Sequence, residues 1–78
     1  MSYMVEVYCK PPADPAKERA LTGKIGTLGG RLGYREDATE DTGVCLTYEF
    51  DDHEQAMQAA EALRNLGEHV EGPMDYAA

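Results

Sequence analysis

Cys9 and Cys45 are the only thiols in this chain of 78 residues, and His53 and His69 are its only imidazoles. A cysteine nucleophile needs a base or a cation beside it to hold the thiolate. The two cysteines lie 36 positions apart, neither within a C-x-x-C pair, so zinc and thioredoxin-type chemistry have no support. The acidic stretch Asp37 to Gly43 has the outline of a calcium loop, but its glycine falls one place late and strands flank it instead of helices. Asp51, Asp52, His53 and Glu54 stand at a helix start, where capping and the helix dipole account for them. One constellation is a candidate mouth for a small ligand: Lys10, Asp14 and Cys45, together with the Gly29-Gly30 turn. No catalytic residue, metal ligand or cofactor is expected.

The elements that must position these residues follow from periodicity. Residues 3–9 alternate, with Tyr3, Val5, Val7 and Cys9 on one side and Met4, Glu6 and Tyr8 on the other, the pattern of a half-buried strand. Pro11 and Pro12 stop it. Asp14-Pro15 opens a helix over 15–29, whose stripe is Leu21, Ile25 and Leu28. Gly23 and Gly26 weaken that helix and suggest a close neighbour. A second strand covers 31–37, with Leu32 and Tyr34 inward and Arg31, Gly33 and Arg35 outward. A polar hairpin loop leads to the clearest strand, 44–50, with Val44, Leu46, Tyr48 and Phe50 inward. A second helix spans 53–66, with Asp52 and Gln55 as a capping box. A short strand at 68–71 and a tail at 72–78 complete a single domain over 1–78.

Two helices with one apolar stripe each must cover one face of a four-stranded sheet. Right-handed crossovers then give the α+β, ferredoxin-like βαββαβ sandwich, an antiparallel sheet in the order 4-1-3-2. The other face is left open. Met4, Tyr8, Arg35, Thr47 and Glu49 on that face form the candidate interface, with Arg35 paired to Glu49 across strands. Cys9 and Cys45 come to the same end of the sheet on opposite faces, which disfavours a disulfide.

Only 12 of the 78 residues are Leu, Ile, Val or Phe, and the net charge is −8. That composition borders on disorder, but pattern, caps and turns agree along the whole chain. A core this lean favours a partner, and a homodimer is the expected state. Charge is segregated: residues 10–35 carry +4 and residues 36–78 carry −11, so the pairing of basic and acidic parts should weaken with salt. Nucleic acid is excluded as a partner by the overall sign and by the lack of stacking aromatics at Val44 and Leu46. A membrane is excluded because no apolar run approaches the roughly 18 residues of a span. The reduced cysteines and the absence of an export signal imply a cytoplasmic chain.

The segment Phe50-Asp51-Asp52-His53-Glu54-Gln55-Ala56, with Ala59 to Leu63 and Leu66-Gly67, resembles the third-strand-to-second-helix part of ACT-type regulatory domains. That resemblance, at the level of the order of elements, implies a small-ligand sensor with Asp14 at the position of the acidic residue in the first loop. Three functions are carried forward. The first is a non-catalytic interaction or regulatory module that self-associates, or binds another protein, through its open face or an edge strand. The second is a binder of a small metabolite, and the third an enzyme with an unfamiliar site.

Overall fold

The computed structural model describes residues 2–37 and 43–76. Its elements are β1 (Ser2–Cys9), α1 (Pro15–Thr27), β2 (Gly30–Asp37), β3 (Val44–Phe50), α2 (His53–Asn65) and β4 (His69–Tyr76). The sheet runs β2-β3-β1-β4, all antiparallel, which is the order 4-1-3-2 read from the other edge. The α+β ferredoxin-like fold is therefore present. The centre of the acidic loop, 38–42, lies outside the described residues, and the calcium-loop reading with it.

Asp14 starts α1 as its sequence suggests. Its backbone is extended, and its carboxylate accepts a hydrogen bond from the Lys17 N–H at 3.2 Å. Asp52 differs. It has the extended backbone of a cap but makes no side-chain capping bond, and the expected capping box with Gln55 does not form. Gln55 instead lies over the turn after α1, its Oε1 2.6 Å from where a β-carbon on Gly29 would stand. Gly29, at φ +93°, stops α1 two residues earlier than the periodicity suggests. Gly23 and Gly26 touch nothing within 4 Å of a would-be β-carbon, so neither marks a close neighbour within the chain.

The core lies between the helices and one sheet face. It comprises Val5, Val7 and Cys9 of β1, alternate residues Val44 to Phe50 of β3, Leu21 and Ile25 of α1, Ala56, Ala59, Ala60 and Leu63 of α2, and Val70. Three alanines let α2 sit close to the sheet, which is how a chain with few large aliphatics closes its interior. Gly30 is needed at the start of β2 because the Phe50 ring approaches within 2.5 Å of any β-carbon placed there.

Two strands depart from simple alternation. In β2, Leu32 faces Tyr48 but Tyr34 faces Thr47, so Gly33 is an extra residue, a bulge. Every residue after it changes side. Tyr34, expected inward, is on the open face and 63% exposed. Arg35, expected outward, is on the helix side, where its Nε donates to Glu18 Oε1 at 2.6 Å and its Nη2 to Oε2 at 3.2 Å. The expected Arg35–Glu49 pair is replaced by Arg31, whose Nε lies 3.8 Å from Glu49 Oε2. In β4 the expected tail continues as strand to Tyr76. A second irregularity, opposite the Met4–Glu6 stretch of β1, accommodates Gly72 (φ +106°) and Pro73, after which Met74 pairs with Met4. Pro73 is tolerated because β4 is an edge. Arg64 of α2 ties this stretch down, its Nη2 donating to the carbonyls of Val70 (3.2 Å) and Gly72 (2.8 Å). No helix among the described residues is long and apolar enough to cross a membrane.

Candidate functional site

The expected ligand mouth loses one part, the Gly29-Gly30 turn. Gly29 and Gly30 sit beside the Phe50 end of β3, whereas Cys45 and Lys10 belong to the opposite end, where Cys9 pairs with Val44. The Asp14 carboxylate is engaged by its own helix. Lys10 lines a separate charged recess with Lys17, Gly67, Glu68 and His69, in which Lys17 Nζ and Glu68 Oε1 stand 3.0 Å apart.

Both thiols are favoured in the protonated form. Cys9 is buried, and burial pushes its thiol up from the ordinary value. Cys45, half-buried on the open face, is pushed up by burial and then by Glu6, whose Oε2 lies 3.9 Å from its Sγ. Neither imidazole serves as its base: His53 packs edge-on against Tyr3 (5.0 Å) and His69 against Tyr8 (5.3 Å). Tyr8 pairs with Cys45 on one side and His69 on the other, so it stands between thiol and ring. Among the described residues no three His, Cys, Asp or Glu side chains could hold a metal ion together.

What the fold does assemble is the open face of the sheet. Strand pairing sets its residues in three rows, each running from β2 across to β4. One row is Glu36, Cys45, Tyr8 and His69. The next is Tyr34, Thr47, Glu6 and Glu71. The third is Arg31, Glu49, Met4 and Met74. Four of the residues expected at an interface, Met4, Tyr8, Thr47 and Glu49, therefore lie together. Arg35 does not, and Tyr34, His69, Glu71 and Met74 join them. Periodicity could not find Tyr34, because a glycine inside a strand was the only sign of the bulge. The face mixes apolar and acidic groups: Tyr8 is 41% and Met74 39% exposed, and Glu6 directly opposes Glu71, an unfavourable pairing of like charges.

No protein-family model matches the chain, and no curated protein or solved structure matches it. The geometry therefore carries the functional argument.

The raised thiols and phenols also set a pH limit. Tyr48 is fully buried, and burial pushes its phenol up, partly offset by the 3.0 Å hydrogen bond with the Thr22 hydroxyl. Cys9, Cys45 and Tyr48 thus hold their protons more tightly folded than unfolded. Stability is full below the unfolded values, 9.0 for cysteine and 10.0 for tyrosine, and is lost as pH rises through the folded ones. The melting temperature should be level from about pH 7 to 8.5 and fall above about pH 9. A profile level to about pH 11 would show that these groups ionise without cost to the fold.

Proposed function

We propose that the chain is a non-catalytic interaction module that self-associates through the open face of its sheet. The supporting observation is a sheet face that carries Met4, Tyr8, Tyr34 and Met74 and is covered by neither helix, both of which pack on the other face. The edges are poorer candidates. The Gly33 bulge interrupts β2, and Gly72-Pro73 interrupts β4, both devices that discourage strand addition. The molecule measures 33 × 26 × 16 Å, so its broad face is of the order of the 800 Å² per partner that a standard interface buries. A reducing, cytoplasmic setting fits Cys9 and Cys45, which are free and lie on opposite faces.

Native mass spectrometry of the purified chain tests the proposal directly. A dimer at micromolar concentration is expected, held mainly by the face and only partly loosened by salt, because aromatic and thioether contacts are not screened. A monomer at about 100 µM would overturn it, since such an interface would then be weaker than most transient ones.

A further inference from the structure

We infer that the cleft between α1 and β2 is a binding site for a small amphiphilic carboxylate, independent of the open face. The cleft has a volume of about 640 Å³ and is lined by Pro15, Glu18, Arg19, Thr22, Leu32, Arg35 and Leu46. That size falls within the usual range for small-molecule sites.

The floor is apolar. Leu46 is buried, but Leu32, on the helix side of β2, remains 40% exposed. An exposed leucine on the face that helices should cover is apolar area left for another group. The rim is charged. Arg35 is held by Glu18 and by Asp37, whose Oδ2 lies 3.5 Å from its Nη1. Arg19 follows Glu18 on α1, is exposed, and has no carboxylate partner among the described residues. Glu18 and Asp37 together offset the two guanidinium groups, so the cleft is near neutral overall, but the Arg19 guanidinium is the one whose N–H groups no carboxylate among the described residues takes up.

Apolar floor and single free guanidinium together select an anion with an apolar body. The body would lie on Leu32 and Leu46, and the carboxylate would accept the paired N–H groups of Arg19, a fork that lysine could not present. A bare phosphate or sulfate is poorly served. The first turn of α1 has Pro15, which has no N–H, and its Lys17 N–H is already taken by Asp14, so the helix end offers little to a dense anion. A cationic ligand has no free carboxylate to meet, because Glu18 and Asp37 are both engaged by Arg35.

Octanoate is the probe, titrated against amide-resolved NMR spectra, with acetate and octylammonium as controls. Saturable shifts are expected at Glu18 to Thr22 and Leu32 to Arg35, with a dissociation constant of about 1 mM. Acetate lacks the body and octylammonium the charge, so neither should saturate. Arg19→Gln should weaken octanoate about tenfold or more, and Leu32→Ser should also weaken it; both side chains are exposed, so both variants should fold. Tyr34→Asp, on the open face, should bind octanoate like the parent, which separates this site from self-association. Octylammonium saturating the same amides, octanoate shifting only the open face, no saturation with octanoate, or an unchanged affinity in Arg19→Gln would each overturn the inference.

Discussion

Phe50→Ala is expected to lower the melting temperature by at least about 12 °C, and in a domain this small to leave much of the chain unfolded. The ring is fully buried at the end of β3, between the first residue of β2 and α1. Its edge carbons stand 2.5 Å from the position a β-carbon on Gly30 would take, and Ile25 approaches the same point to 2.7 Å. Alanine would leave a cavity at the junction of two strands and a helix, costing about 3–5 kcal/mol. The whole domain is expected to be stable by only about 4–12 kcal/mol. Ile25 is held on a helix and cannot move far enough to fill the gap cheaply. Thermal melts followed by circular dichroism, at two protein concentrations so that any dimer contribution is visible, would check this. A change under about 5 °C would show that the core is centred elsewhere.

How far the sequence reveals this molecule depends on how locally each feature is encoded. Strand β3 alternates without interruption, so its inward residues, Val44 to Phe50, are legible from type alone. Asp14-Pro15 is legible because a cap and a proline act within one turn. Gly33 is not. A bulge adds one residue whose only local mark is the absence of a side chain, and it reverses the side on which Tyr34, Arg35 and Glu36 emerge. With Gly33 counted out, simple alternation from Leu32 places all three correctly. The Glu18–Arg35 pair, and with it the cleft, follows from that single residue. The extension of β4 is hidden in a similar way, since Gly72-Pro73 reads as a stop when the partner strand is unknown. The Gly29-Gly30 turn parts from the loop of Lys10 and Asp14 for a different reason. Those loops lie at opposite ends of one sheet, a separation set by strand direction and register.

Tyr34→Asp is expected to weaken self-association by on the order of 100-fold, and Glu71→Lys in the same chain to restore most of it. Two open faces related by a two-fold axis can meet with that axis along the strands or across them. An axis across the strands sets Glu6 against the partner's Glu6 and Glu71 against the partner's Glu71, carboxylate on carboxylate. An axis along the strands, between β1 and β3, keeps each row facing itself and exchanges its ends. Tyr34 then faces the partner's Glu71, Thr47 faces the partner's Glu6, and Glu36 faces the partner's His69. Each carboxylate in the middle row meets a hydroxyl that can donate to it, which also relieves the Glu6–Glu71 opposition within one sheet. Aspartate at position 34 puts like charges together at two symmetric places per dimer, and lysine at 71 turns both into opposite-charge pairs. With the axis across the strands, Tyr34 would instead face its own copy, and lysine at 71 could not repair the loss. Sedimentation equilibrium on the single and double variants therefore reads both the face and its orientation. A Tyr34→Asp variant as tightly associated as the parent would remove the open face from the interface. Loss without rescue would keep the face and reject the axis along the strands.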